Sequence, residues 1–372
     1  MKRMLIVSIA SAMSVFAASA DASPLFTIIN PSGAGYTGLR INAVSGDGRY
    51  VGGYLENTAT FRATRWSADG SEVSDVGLLP GRPYSWMNAL SFDGSVAVSD
   101  AFNTAYQPQA FAWTSPSTRT AISPPAGSTF GYSVSISSDG SSVVGWTNLS
   151  GPPLTQRLWR WTAATGTTLL PAGLGGFDLQ ATRILSGDGR YVVGGSNRYD
   201  IVGGGLINIA SGSFTSPSIT SISHDGTSMV GYMSGMRLPD GSYADHSGFV
   251  WTTLGGLEDL GYVPGSRNTF PRFMSGDGQT VLGTADGFAF IWTRSTGIVD
   301  FNAYLASIGA NSLGMTSLSF SGISDDGMTI AGMGYTAAGE FRGWVMTVPG
   351  PTSGMVLMLG GVCLSRRRRD PR

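Results

Sequence analysis

A short phrase recurs seven times along this chain: a small or apolar residue, Ser, one variable residue, then Asp-Gly. The turns are Asp47-Gly48, Asp93-Gly94, Asp139-Gly140, Asp188-Gly189, Asp225-Gly226, Asp277-Gly278 and Asp326-Gly327. They stand 46, 46, 49, 37, 52 and 49 residues apart. A period of this length means units that stack or close into a ring, because each is too small to bury its own apolar face.

The third copy shows what a unit is. Ser133-Val134-Ser135-Ile136-Ser137 alternates polar and apolar residues, the pattern of a half-buried strand. Asp139-Gly140 turns the chain, with glycine supplying positive φ. Val143-Val144-Gly145-Trp146 returns, and a proline-bearing loop from Gly151 to Thr155 follows. Leu158 to Thr162 reads as a third strand and Thr167 to Leu170 as a fourth. Third-strand tryptophans are expected at Trp66, Trp113, Trp161, Trp251, Trp292 and Trp344. Copy four has Ile207 in that place, and its short spacing predicts trimmed third and fourth strands. Because these tryptophans follow the repeat, they read as wedges between sheets.

Seven such meanders predict an all-β fold, a seven-bladed β-propeller of four-stranded antiparallel blades over residues 25–347. An open solenoid is the alternative, but its repeats are shorter, about 20–30 residues. The ends favour a closed ring. The last copy runs out after Phe341 to Thr347 without a fourth strand, while Leu25 to Ile29 is a spare strand before the first copy. Adding it to the last blade removes two exposed edges.

Both termini read as addresses. Met1-Lys2-Arg3, an apolar run to Ala17 and the small-x-small Ala18-Ser19-Ala20 predict a signal peptide over 1–20, cut by signal peptidase. At the other end, Val348-Pro349-Gly350-Pro351 precedes the apolar stretch Ser353 to Leu364 and then Arg366-Arg367-Arg368-Arg369. A dozen apolar residues are short for a membrane span, which wants about 20. Four arginines would hold their end on the cytoplasmic side.

Composition narrows the function. Between the addresses lie 16 basic and 23 acidic residues, a net charge near −7, with no lysine. That balance is wrong for gripping nucleic-acid phosphate. The one cysteine, Cys363, lies in the tail, which excludes disulfides and a thiolate zinc site from the repeats. No serine elbow, two-histidine metal motif or cofactor fingerprint appears. We therefore expect no catalytic residue, no metal and no cofactor. His224 occupies a variable turn slot and reads as surface variation, and the turn aspartates, Asp325-Asp326 included, read as scaffold rather than calcium ligands.

The tail, Val348 to Arg369, resembles the PEP-CTERM sorting signal of Gram-negative bacteria, with Gly350 where that family has Glu. The resemblance implies processing by an exosortase, transient inner-membrane anchoring through residues 348–372, and a place at the outer surface or outside the cell. The repeats resemble HAF-repeat extracellular proteins through Ile323-Ser324-Asp325-Asp326-Gly327, Phe290-Ile291-Trp292-Thr293, Leu257 to Gly261, and Ile298-Val299-Asp300-Phe301-Asn302. That family carries over no settled activity. The link between PEP-CTERM systems and exopolysaccharide implies carbohydrate as the ligand class.

In a propeller, the face opposite the tight turns carries the longer, variable loops, where function concentrates. Candidate ligand contacts on it are Arg82, Tyr84 and Trp86 in one blade link, Arg267 and Phe270 in another, and Arg237, Asp240, Tyr243, Asp245 and His246 in the longest loop. Flat rings stack on sugars and the polar groups meet hydroxyls. The expected function is a non-enzymatic, cell-surface or matrix-associated binding or scaffold protein. Two alternatives stand beside it: a propeller glycosidase or lyase using channel carboxylates, and a purely structural protein. A further segment, Asn302 to Ile308, predicts a short helix stopped by Gly309.

Overall fold

The structure, a computed structural model, describes residues 24–33, 35–128, 130–150, 155–174, 181–209, 217–234 and 246–348. The predicted signal peptide, residues 1–20, and the predicted sorting tail beyond Val348 lie outside the described residues. The chain forms seven antiparallel blades arranged as a β-propeller. Five sheets are four-stranded meanders, beginning with Gly38–Val44, Tyr50–Glu56, Phe61–Ser67 and Val73–Gly77, and blade four keeps three strands. The N-terminal strand Leu25–Ile29 pairs with Phe341–Thr347 and completes the last blade, as its spare position predicts.

The repeated turn explains the period. In copy three the Asp139 carboxylate accepts from the Ser137 hydroxyl at 2.6 Å and from the Ser141 N–H at 2.9 Å. Ser137 Oγ in turn accepts from the Ser142 N–H at 3.0 Å. Gly140, at φ 74°, takes the left-handed position. One Ser and one Asp thus satisfy the whole turn. Asp139→Ala should cost about 1 kcal/mol of stability and leave ligand affinity unchanged. Denaturant melts of the variant check this.

The turns also close the ring. Backbone N–H groups donate from Asp47 to Phe92, Phe92 to Ser138, Ser138 to Gly187, Asp188 to His224, His224 to Gly276, Asp277 to Asp325, and Asp325 back to Gly46. Each blade junction carries one such bond, so the variable slot of the phrase is the inner rim of the ring.

Inner strands carry a β-bulge at the same place, such as between Ile41 and Ala43 and between Ser133 and Ser135. The bulge lays a carbonyl over the glycine that ends the valine-rich run. A Cβ on Gly145 would sit 2.0 Å from the Tyr132 carbonyl oxygen. That contact is why the run ends in Gly.

Three expectations change. Trp66, Trp113, Trp161, Trp251 and Trp292 do occupy one register, opposite Val51, Ala97, Val143, Met229 and Val281. Trp344 instead pairs with Gly332, and Met346 takes the equivalent place opposite Ile330. In blade four the place belongs to Tyr199, opposite Val192. Ile207 is on the fourth strand and exposed, because the compressed third strand, Asn197–Asp200, ends before reaching it. That blade is trimmed further than predicted: its inner segment joins Tyr191–Gly194 through a single bridge, Leu185 to Val192. The helix forms at Phe301–Ser307 with Asp300 as N-cap, and its role is packing: Phe301 lies 4.7 Å from Phe320 and 5.8 Å from Trp344.

Candidate functional site: an aromatic channel mouth

Inner strands surround a central channel with two unlike ends. Beneath the Asp-Gly turns it narrows to a cavity of about 70 Å³, lined by Asn42, Asn88, Thr182, Arg183, Ser221 and Asp325 among others. At the opposite, long-loop end it widens to about 500 Å³, lined by Asn42, Tyr54, Trp86, Asn88, Asp100, Tyr132 and Trp146 among others. Asn42, Asn88 and Thr182 border both spaces and join them.

The wide mouth is built on strand ends of blades one to three. Trp86 lies near the start of one inner strand and Tyr132 begins another, and Tyr54, Asp100 and Trp146 lie in the later halves of second strands. Their rings form a continuous row. Tyr84 stacks on Phe61 at 5.0 Å, Phe61 on Trp86 at 5.6 Å, and Tyr132 on Trp146 at 4.7 Å. Buried Phe102 bridges the two halves, 4.2 Å from Trp86 and 6.3 Å from Tyr132. Tyr132 and Trp146 are direct partners across one ladder, so the pleat puts both rings on the same face.

Asp100 organises this row and is the residue that sequence reasoning missed. It is 1% exposed. Its carboxylate accepts from the Ser133 N–H at 2.9 Å, the Ser133 hydroxyl at 2.8 Å and Asn88 Nδ2 at 2.8 Å, and it is hydrogen-bonded to the Trp86 side chain. One buried acid therefore ties blade two to blade three and orients the central ring. Burial pushes its pKa up to about 6, and the hydrogen bonds only partly offset this. A raised carboxylate contributes stability that is full below about pH 4 and is lost as pH rises through about 6, worth about 3 kcal/mol across that window. Asp100→Asn should remove this part of the pH dependence. Melting temperatures of both proteins between pH 4 and pH 7 check it.

The predicted contacts divide into groups. Trp86 lines the mouth, and Tyr84 joins it only through the stacked Phe61. Arg82 is a support: its guanidinium donates to Gln109 Oε1 at 3.0 Å and to the carbonyls of Ala101 and Gln107. His246 and Phe270 form a separate cluster with Tyr232, the first pair 4.8 Å apart. Arg267 stands beside it, with its backbone N–H on Asp286. Arg237, Asp240, Tyr243 and Asp245 lie outside the described residues.

The narrow end corrects two other readings. His224 is not surface variation: its Nδ1 is 3.2 Å from Asp325 Oδ2 and 3.1 Å from Ser138 Oγ. Asp325 sits in the turn, but its side chain does not close it. Asp326 makes the turn, accepting from Ser324, whereas Asp325 pairs with Arg183 at 2.8 Å. Both polar partners of His224 meet the same ring nitrogen, so this trio lacks the relay geometry of a nucleophilic triad, which uses both nitrogens. The wide mouth, for its part, has Asp100 as the one carboxylate among its described lining residues.

No family model matches the chain, and no curated protein does. Solved structures do. An oligogalacturonate lyase from Vibrio parahaemolyticus is 12% identical over 88% of this chain and 98% of its own, with a TM-score of 0.54. An oligogalacturonate lyase in complex with manganese is 13% identical over 88% and 97%, with a TM-score of 0.53. TolB from Acinetobacter baumannii is 18% identical over 82% of this chain and 65% of its own, with a TM-score of 0.45. At these identities the likeness is one of fold alone.

Proposed function

We propose that the wide channel mouth binds carbohydrate without cleaving it, and that the protein works as an exported, surface- or matrix-associated binding module. The observation that carries the reading is the row of half-buried rings, Tyr54, Phe61, Trp86, Tyr132 and Trp146, around an open space with amide groups at its base. Ring edges, and the faces not already stacked on a neighbouring ring, offer apolar surface to sugar C–H groups, and Asn42 and Asn88 offer amide oxygens to hydroxyls. Asn88 Nδ2 is held by Asp100 and Ser133. Export and surface placement rest on the two terminal segments. Signal peptidase and an exosortase-like enzyme would process them, and exopolysaccharide is the natural ligand outside the cell. No described helix is long and apolar enough to cross a membrane.

Cleavage is the second reading, and the raised pKa of Asp100 is what favours it. Glycoside hydrolysis requires a second carboxylate within roughly 5–10 Å, flanking the scissile bond. Asp100 has no such partner among the described residues of the mouth, and its oxygens are already engaged. A lyase of the manganese-bound kind needs metal ligands. Among the described residues no three His, Cys, Asp or Glu side chains gather to hold an ion.

A polysaccharide array read together with reducing-end release decides between these. Retention without new ends supports the proposal. New ends that vanish in Asp100→Asn identify an enzyme, and silence on both readouts leaves a structural protein.

A further inference from the structure

The ring row does not stop at the mouth. Its outermost member, Tyr106, is 61% exposed on the link between the second and third strands of blade two, Val96–Phe102 and Pro108–Thr114. It stacks on Tyr84 with centroids 5.2 Å apart and planes 3° from parallel. Its backbone lies in the left-handed region, at φ 57°. Glycine, Asn or Asp are the usual occupants there, and a bulky aromatic is an outlier.

The link is nevertheless fastened in that conformation. The Asn103 side chain accepts from the N–H groups of Ala105 and Gln107 at 3.0 and 2.9 Å. The Tyr106 N–H donates to the Asn103 carbonyl, and Arg82 reaches in to the Gln107 carbonyl. Core packing does not account for the arrangement, because most of the ring is in water. Nor does turn chemistry, since glycine would make the same turn without strain. Strain retained by a saturated local network marks positions held for a purpose other than folding.

We infer that Tyr106 is an outer subsite of the mouth, and that the ligand is a linear glycan chain rather than a single terminal sugar. The inference rests on the carbohydrate reading above. Tyr84 covers one face of Tyr106, which leaves the opposite face for a sugar ring. Tyr84 and Phe61 stack on each other and carry the row inward to Trp86. Three ring contacts therefore separate Tyr106 from Trp86, further than one sugar unit spans. A chain anchored at Trp86 reaches Tyr106 only with its more distant units. Affinity must then grow with chain length, and the growth must depend on Tyr106.

The test is a titration of the array-selected glycan as a length series, from the monosaccharide upward, against wild type, Tyr106→Phe, Tyr106→Ala and Tyr106→Gly. Tyr106→Phe should keep the length dependence. Tyr106→Ala and Tyr106→Gly should bind long chains roughly tenfold more weakly and the shortest bound unit equally well. Tyr106→Gly should melt no lower than wild type, because it relieves the backbone. Unchanged affinity for long chains in Tyr106→Ala overturns the subsite. So does an equal loss at every length, which would make Tyr106 a prop for the inner rings. Wild-type protein that binds glycan with no length dependence also overturns the subsite but leaves the carbohydrate reading standing. Wild-type protein that binds no glycan removes both.

Discussion

Gly332→Ala is expected to destabilise the protein by about 3 kcal/mol or more, a large share of the roughly 5–15 kcal/mol that holds an ordinary folded protein together. The added Cβ would stand 1.8 Å from the Ser319 carbonyl oxygen and 2.7 Å from the buried Trp344 ring. The first neighbour is backbone held in the bulged pairing of Thr316–Ile323 with Thr329–Tyr335, so it cannot swing aside. The second belongs to the largest side chain of that blade's core. Gly53, Gly145, Gly231 and Gly283 face the same kind of carbonyl at 1.8 to 2.3 Å. Blade two carries Ser99 at this place, opposite Met87, so a Cβ is accommodated only where the neighbouring strand has formed around it. Gly205→Ala is the control: nothing lies within 4 Å of its Cβ position, and stability should move by less than about 0.5 kcal/mol. Chemical denaturation of the pair checks the contrast.

Loss of the closing strand should be nearly as damaging. Leu25–Ile29 hydrogen-bonds along Phe341–Thr347, with Thr27 opposite Val345 and Ile28 opposite Trp344. Phe26 stacks on Trp344 at 5.3 Å, and Ile29 is 1% exposed. Phe26→Ala should cost about 3–5 kcal/mol, the usual range for an aromatic core truncation. A chain beginning at Pro31 should do worse. It opens a full strand edge on the last blade and uncovers the apolar cluster behind it, a template for association between copies. Size-exclusion chromatography should show the truncated protein as oligomers or aggregate, while Phe26→Ala remains monodisperse with a lower melting temperature. If the truncated chain stayed monodisperse and melted like the parent, ring closure by the N-terminus would be unnecessary for stability.

What the sequence shows and what it hides follow from the range of the interactions. The Ser-x-Asp-Gly turn is satisfied within five residues, as in the Ser137, Asp139 and Ser142 set, so its chemistry is visible in a single phrase. The spare strand is legible because one copy lacks a partner and another region supplies one. Register is different. Trp344 looks like the other third-strand tryptophans, yet it sits two residues out of step, and only cross-strand pairing reveals this. Tyr199 in blade four is hidden for the same reason, because compressed strands shift the expected spacing. The site divides likewise. Tyr84 and Trp86 are visible as rings in a variable link. Asp100 is marked only as a charged residue in an otherwise apolar second strand, and its partner Ser133 is 33 residues away. His224 and Asp325 are 101 residues apart and meet only because the ring closes.

The most direct test of the functional account is a calorimetric titration of the array-selected glycan into wild type and into Trp86→Ala, with Trp146→Ala as a second variant and chain length measured before and after. The account predicts that wild type binds and returns chains of unchanged length. It predicts that variants retaining the parent's fold bind at least about tenfold more weakly, because each lost ring removes on the order of 1 kcal/mol or more of stacking. Equal affinity for wild type and both variants would contradict it, as would shortened chains that appear with wild type and not with Asp100→Asn.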